Sequence, residues 1–188
     1  MSILLRDIPP LGLKGNFSLN ELFFYFIVYS FLGWCLENIY CIVVHRRLKE
    51  DKFLQGPFKP MYGFAPVILI VLLNYVSNWF MILILSFVVP SLVEYVSGFL
   101  LKKFFNKQWW DYSKMPLSLN GHICLKFSVY WVFLSFLTIY IIQPRIELLY
   151  TRVMTSWDIL SPFIAVYMLV DLAYTYIYLK AKTSHTIA

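Results

Sequence analysis

The stretch Phe31-Leu32-Gly33-Trp34-Cys35-Leu36-Glu37-Asn38 decides the fold, because it places a carboxylate inside an apolar run that extends from Glu21 to Val44. A helix of this length can cross the hydrocarbon core of a bilayer. A carboxylate inside a membrane span is costly unless it is paired, protonated or faces a polar cavity. Glu37 is therefore the first candidate functional residue, and the others are polar side chains that can reach it.

The composition indicates an integral membrane protein. Of the 188 residues, 60% are hydrophobic and 14% are charged, whereas a soluble domain is about 45–50% apolar and about 25% charged. The net charge of +6 is better explained by basic residues on the cytoplasmic side of a membrane than by nucleic-acid binding. The sequence therefore predicts membrane lipids as partners, and no nucleic acid.

The apolar runs predict an all-α, polytopic bundle of five membrane spans. After the first span, residues 55–66 contain three prolines and two glycines, which predicts a broken or re-entrant segment. The next apolar run is expected to turn at Ser77-Asn78-Trp79, and the fourth span to end at Pro144, before an interfacial helix at 145–157. The predicted spans are 21–44, 62–76, 79–102, 123–143 and 158–180, within one transmembrane domain, 1–182, that is followed by a disordered tail, 183–188.

The distribution of basic residues favours five spans over four. With five, one side of the membrane holds Arg46, Arg47, Lys49, Lys52, Lys59, Lys102, Lys103, Lys107, Lys114, Lys180 and Lys182, and the other holds Arg6, Lys14, Arg145 and Arg152. With four spans the basic residues divide almost evenly. Because lysine and arginine concentrate in cytoplasmic loops, we expect a cell-membrane protein with its N-terminus outside and its C-terminus in the cytoplasm.

Three predicted spans carry a carboxylate at similar depth. A rise of 1.5 Å per residue places Glu37, Glu94 and Asp171 roughly 10 to 14 Å from the inner ends of their helices. Each acid shares its helix face with small or hydroxyl residues, which allow close helix packing and hydrogen bonding. Two interpretations stay open: the acids join helices by hydrogen bonds, or they line a cavity or pathway.

Polar residues near the inner ends of the spans complete the candidate site. Trp109-Trp110-Asp111-Tyr112-Ser113 combines headgroup-level aromatics with an acid and two hydroxyls, and Asn120-Gly121-His122 predicts a turn. Irregular backbone at 55–66 would cap the acids if it re-enters the membrane. The candidate pathway or binding residues are Glu37, Glu94, Asp171, Asn38, Tyr62, Trp110, Asp111, Tyr112, Asn120 and His122.

The sequence lacks the motifs of several enzyme classes. It contains no G-x-x-x-x-G-K-[ST], G-x-S-x-G or H-E-x-x-H pattern, so P-loop ATP binding and these hydrolase activities are not indicated. A metal site built from His122 and nearby acids lacks ligands at diagnostic spacing, and neither a metal nor a cofactor is predicted. Glu37 and Glu94 together are compatible with proton coupling, cation binding or acid–base catalysis. If the protein is an enzyme, the sequence does not identify its catalytic residues.

The order of the polar stretches resembles the ABC-transporter permeases of a "type IV" class, a family of membrane proteins from Gram-positive bacteria. The matching pieces are Phe31-Leu32-Gly33-Trp34 with Glu37, Gly56-Pro57 with Pro60-Met61-Tyr62-Gly63-Phe64, Glu94-Tyr95 with Gly98, Trp109-Trp110-Asp111-Tyr112-Ser113, and Leu119-Asn120-Gly121-His122-Ile123-Cys124-Leu125. Two positions depart from the family pattern: His122 stands where the family has an arginine, and Glu50-Asp51-Lys52 where it has Asn-Arg-Gly. The resemblance implies a multi-span membrane fold and a membrane location.

Three hypotheses for function follow. The first is a permease-like transport component with an acid-lined cavity open to the cytoplasm, in which residues 55–66 act as a gate. Since the chain has no ATPase motif, active transport would need a separate ATP-binding subunit or an ion gradient. The second is an intramembrane enzyme acting on a lipid or lipid-linked substrate at the cytoplasmic leaflet, and the third is an accessory subunit of another complex. A homo-oligomer is compatible with all three.

Overall fold

A computed structural model describes residues 16–46 and 53–187, with the backbone alone for residue 45 and for 182–187. Residues 1–15, 47–52 and 188 lie outside the described part of the chain. The family departure at 50–52 and several basic residues used to predict the orientation therefore fall outside the described residues.

Five α-helices and one short hairpin make up the described chain. The hairpin pairs β1 with β2 in antiparallel register, with Ser118 opposite Cys124. A π-helical turn, Cys41–His45, follows the first helix, and another, Thr138–Ile142, joins the last two. The elements in chain order are α1, Leu19–Tyr40; α2, Pro60–Leu73; α3, Trp79–Phe105; β1, Ser118–Leu119; β2, Ile123–Cys124; α4, Leu125–Leu137; and α5, Gln143–Ile187.

The helices have the length and the surface of a membrane protein. In the described chain, three helical stretches are long and apolar enough to cross a bilayer: Leu19–Val44, Trp79–Phe105 and Leu125–Ala181. Helix α2 is apolar but shorter. Large apolar side chains stay exposed, such as Phe133 at 70% and Ile177 at 68%, and lipid is the solvent in which such a surface is stable. The predicted class, a helical membrane protein, is confirmed.

Side-chain caps fix where two of the helices begin. The Ser18 hydroxyl accepts a hydrogen bond from the Glu21 N–H (3.1 Å) at the start of α1. The Asn78 side chain accepts one from the Phe80 N–H (2.8 Å) at the start of α3. These bonds satisfy amides that lack a partner in the first turn. The predicted turn between α2 and α3 is present, but it comprises residues 74–78, and Trp79 already begins α3.

The proline-rich segment is helical in its second half, which differs from the expectation for residues 55–66. Between α1 and α2, the described residues 53–59 have no regular secondary structure. Helix α2 begins at Pro60 and contains Pro66. Proline is tolerated in the first helical turn because that turn has no use for the missing N–H. Further along the helix, Pro66 removes one hydrogen bond, and the neighbouring helices compensate for this within a membrane bundle.

The helix does not end at Pro144, while the bounds of the fourth span stay a prediction. Pro144 lies just after the π-helical turn Thr138–Ile142, which joins α4 to α5 without a break. The helix continues through the predicted interfacial segment at 145–157 and through 158–180. The residues expected to form a disordered tail are helical as far as Ile187. Proline usually indicates the end of a helix, but the helix does not end at Pro144.

Helices α1 and α2 pack closely through two glycines. A Cβ atom on Gly33 would lie 2.2 Å from the Tyr62 Cβ, and one on Gly63 would lie 2.3 Å from the Ser30 Oγ. Both distances are far below van der Waals contact, so only glycine permits this approach. The close packing sets the position of Tyr62 relative to Glu37, one turn beyond Gly33.

The order of contacts describes how the later helices run. Helix α4 is antiparallel to α3, since Trp131 contacts Glu94 while Ser135 contacts Ser86. The first part of α5 runs toward the N-terminal end of α1. There Gln143 contacts Tyr29, Tyr150 contacts Phe24 and Trp157 contacts Asn20. The later part of α5 contacts the chain after α1 and the end of α3, through Asp171 with Gly56 and Tyr176 with Phe105.

Candidate functional site

A cavity of about 1450 Å³ lies among the helices and the two loops that follow α1 and α3. Most of its lining is aromatic or aliphatic, from all five helices, and few charged side chains reach it. Six of the ten predicted site residues line it: Glu37, Tyr62, Glu94, Trp110, Asp111 and Tyr112. Cavities of this size are large enough for an organic ligand.

The irregular segment 53–59 brings a cation to Glu37. The Lys59 ammonium pairs with the Glu37 carboxylate, and their side chains are 16% and 21% exposed. The Lys59 amide donates to the Ser30 carbonyl (3.0 Å), which holds the loop against α1. The Tyr62 hydroxyl also donates toward Glu37. A pair shielded this far from solvent is screened less than a surface pair.

Glu94 is bound by neutral donors. The Tyr112 hydroxyl donates to its Oε1 (3.1 Å) and the Trp131 indole N–H to its Oε2 (2.7 Å). The residue is 3% exposed. These two bonds orient the carboxylate from the loop and from α4, and they leave part of its hydrogen-bonding capacity for a ligand.

The loop after α3 is folded by its own polar groups. The Asp111 Oδ1 accepts from the Ser113 N–H (2.9 Å), and this bond lowers the pKa of the exposed Asp111 carboxyl. The Tyr112 N–H donates to the Gly121 carbonyl (2.9 Å). Burial, followed by the nearby Glu94 charge, raises the pKa of the Tyr112 phenol. Tyr112 therefore stays protonated and acts as a donor to Glu94.

The predicted turn at 120–122 is confirmed, and it packs against the loop that follows α3. Asn120 and Gly121 both have positive φ angles, 53° and 74°, a conformation that asparagine and glycine adopt most readily. A Cβ on Gly121 would lie 2.6 Å from the Asp111 Oδ1. The Asn120 amide donates to the Tyr95 hydroxyl (3.0 Å), and the Trp110 indole to the His122 carbonyl (2.9 Å).

His122 does not belong to the cavity lining. Its side chain is 3% exposed, lies against Gly98, where an added Cβ would come within 2.9 Å of its Nδ1, and meets the Tyr95 ring edge-to-face at 5.6 Å. Burial, then the Lys102 charge, lowers the pKa of the imidazole, and Asp111 opposes this shift. His122 is a packed, neutral residue at the α3–hairpin junction.

Two further candidates also lie outside the lining. The Asp171 carboxylate accepts from the N–H groups of Gln55 (3.0 Å) and Gly56 (2.9 Å), so it holds the loop instead of joining the other two acids. The Asn38 amide donates to the Trp34 carbonyl of its own helix (2.7 Å). Of the three acids, Glu37 and Glu94 therefore line the cavity and Asp171 does not, because Asp171 binds the loop backbone. A shared membrane depth for the three stays a prediction.

The sequence reasoning missed Trp131 and did not include Lys59 among the candidates. A tryptophan in mid-span was a usable signal, since a buried indole N–H generally needs an acceptor. It also missed a buried polar cluster near the start of α1. There Tyr25 donates to Glu21 (2.6 Å) and Tyr29 donates to the Gln143 side chain (2.7 Å).

In the part of the chain that the structure describes, no group of three or more His, Cys, Asp or Glu side chains is arranged to hold a metal ion. The three cysteines are free thiols, and Cys41 and Cys124 are buried.

Long apolar helices around a cavity with buried carboxylates define a helical membrane protein. A family model described as "Putative ABC-transporter type IV" matches residues 24–176. The chain belongs to this family, which confirms the resemblance and extends it from the motifs in 31–125 through most of α5. Membership and the apolar helices together fit a membrane transport component. No curated protein and no solved structure matches the chain.

Proposed function

We propose that this chain is the membrane-embedded permease component of a transporter, and that the cavity is its substrate chamber. The observation that carries the proposal is a single cavity of about 1450 Å³ that contains both Glu37, paired with Lys59, and Glu94, held by neutral donors. Charged groups are rare and costly inside a bilayer and mark functional pathways there.

The chain crosses the membrane five times, as a single transmembrane domain. The order of contacts supports this number: α1, α2, α3 and α4 are successively antiparallel, and α5 reaches from Asn20, at the start of α1, to Phe105, at the end of α3. The 57-residue stretch Leu125–Ala181 is about 86 Å long at helical rise, far more than a hydrocarbon core of about 30 Å requires. Along this stretch the contacts first approach Asn20, at the start of α1, and then return to the loop after α1, which supports two crossings.

The cavity opens toward the cytoplasm, with the N-terminus outside. The loops that close the cavity carry Lys59, Lys107 and Lys114 on the side where α1 and α3 end. Basic loops are cytoplasmic. In a variant with Cys35, Cys41 and Cys124 replaced by alanine, a cysteine at Lys107 should react with an impermeant maleimide only after the membrane is opened. A cysteine at Ser77 should react in intact cells, and the reverse pattern would refute the orientation.

The segment 53–59 acts as a gate over the chamber. It is held at one end by Asp171, which binds the Gln55 and Gly56 amides, and at the other by the Lys59–Glu37 pair. A loop fixed by a few polar bonds can open without unfolding the helices. Release of these bonds would expose both acids to the cytoplasm.

Active transport requires an energy source, and the chain has no P-loop motif. We propose a separate ATP-binding subunit that docks on the cytoplasmic loops, with lipids covering the apolar surface. The decisive experiment is affinity purification of the tagged chain from native membranes in mild detergent, followed by mass spectrometry, which also gives the number of copies. A stoichiometric ATP-binding subunit supports the permease function. A chain that purifies alone, with retained membrane activity, contradicts it.

A further inference from the structure

We infer that the cavity binds an amphiphilic organic cation, with its charged group beside Glu94 and its apolar part between α3 and α5. That the bound cation is a transport substrate rests on the proposed function. The binding site itself is argued from the side chains of the cavity.

The charge of the lining favours a cation. Among the described lining residues, Glu37, Glu94 and Asp111 are acidic and Lys59 is basic, a formal charge of −2. A cleft of one sign with apolar walls concentrates ligands of the opposite sign and repels those of its own. An anionic group beside Glu94 is therefore disfavoured, because it would face that carboxylate.

Aromatic side chains lie beside Glu94 in the lining of the cavity. The rings of Tyr62 and Trp131 lie 5.3 Å apart with their planes tilted by 57°, and both line the cavity. Tyr112, which also donates to Glu94, lines it as well. Ring faces attract organic cations, most strongly where water is excluded. A cation beside Glu94 would lie next to a carboxylate and among aromatic side chains that line the same cavity.

The far end of the cavity is apolar and open at its side. Several side chains of α3 and α5 both line the cavity and stay exposed on the surface of the bundle, so the lining is continuous with the lipid-facing surface. They are Leu100, Phe104, Leu169, Leu172 and Ile177. Leu36, Tyr40 and Tyr130 do the same between α1 and α4. An amphiphile dissolved in the bilayer can thus reach Glu94 without crossing water.

The test is equilibrium binding to the full chain, purified without partners and reconstituted in lipid nanodiscs. The probe is radiolabelled tetraphenylphosphonium, a lipophilic cation, and radiolabelled tetraphenylborate, an anion of nearly the same size, is measured in separate samples. We expect saturable binding of the cation and no saturable binding of the anion. Glu94→Gln should weaken binding by roughly ten- to hundredfold, whereas Asp158→Asn, which removes an acid outside the cavity, should leave it unchanged.

A second variant pair tests the apolar end without touching an acid. Leu172→Trp should weaken cation binding because the larger ring fills the lining, while Val170→Trp, at an exposed position outside the lining, should not. Equal binding by Glu94→Gln and the parent chain, or equal saturable binding of the borate, would overturn the inference. Loss of binding in Val170→Trp as well as Leu172→Trp would overturn the placement between α3 and α5.

The outcome is separate from that of the proposed function. Binding is measured on the isolated chain, so a missing ATP-binding subunit leaves the cation site standing. If the chain copurifies with an ATP-binding subunit but does not bind the cation, the proposed function stands and the proposed substrate class is refuted.

Discussion

The Asp171 Oδ2 accepts a hydrogen bond of 2.9 Å from the Gly56 N–H, 115 residues earlier in the chain. With the bond from Gln55, it fixes the loop after α1 to the last helix. A Cβ on Gly56 would lie 2.7 Å from the Tyr167 hydroxyl and 3.1 Å from the Asp171 Oδ2. The loop can therefore approach α5 this closely only with glycine at that position.

Substitution of Asp171 should loosen this loop. Asp171→Asn keeps the size of the side chain but loses the charge that two amides share, and we expect a loss of roughly 1–3 kcal/mol in stability. Hydrogen exchange at Gln55 and Gly56 should accelerate, while exchange within α3 should not change. Asp158→Asn, with its acid at the opposite end of the bundle, is the matched control. Unchanged exchange at both amides would refute the anchoring role.

Gly33→Ala should separate α1 from α2. Because the added Cβ meets the Tyr62 Cβ at 2.2 Å, no rotamer of Tyr62 relieves the contact, and overpacking should cost about 1–3 kcal/mol. Thermal unfolding in detergent measures the loss. Leu32→Ala, at the neighbouring exposed position, should have a smaller effect, and equal effects would argue against close packing at Gly33.

The Lys59–Glu37 pair should behave as a coupled unit. We expect Glu37→Gln and Lys59→Met to be non-additive, with a coupling energy of about 0.5–3 kcal/mol in a double-mutant cycle. The physical reason is that each single change leaves a charge in a partly desolvated position. Both stability and transport should be measured on the single and double variants. Additive effects on stability would mean that the pair contributes nothing as a pair.

Stability should depend on pH through His122. Its pKa is lowered in the folded protein by burial and Lys102, so the unfolded chain takes up a proton more readily once the pH falls below about 6.5. Stability is therefore full above this pH and decreases as the pH falls through the folded pKa. Thermal unfolding between pH 7.5 and 5.5 should show this decrease, and His122→Gln should reduce it. The same slope in the variant would assign the effect to other groups.

Local chemistry allowed much of the fold to be predicted. The turn before Trp79 and the turn at Asn120-Gly121 depend on nearest neighbours, and both were predicted correctly. Pro144 and Pro66 were misjudged because a proline in a helix is decided by whether its missing hydrogen bond matters at that position and by the neighbouring helices. A sequence alone does not specify either.

The residues of the candidate site also fall into those that the local sequence indicates and those that helix packing decides. Glu37 and Glu94 were found because a carboxylate in an apolar run is conspicuous in any environment. Trp131 was overlooked, and Asp171 was assigned to the wrong neighbours, because the rotation of each helix about its axis decides which partner a side chain meets. That rotation is set by packing between helices.

By itself, the sequence determined the membrane class, the main apolar stretches, the turns before α3 and at Asn120-Gly121, and the family. Those properties follow from the free energy of transfer of single residues and from short-range backbone preferences. Only the tertiary structure decided that Lys59 pairs with Glu37, that Trp131 binds Glu94 and that Asp171 holds the loop. Each of these contacts joins residues far apart in the chain, and their distances depend on how closely glycine-containing helix faces approach.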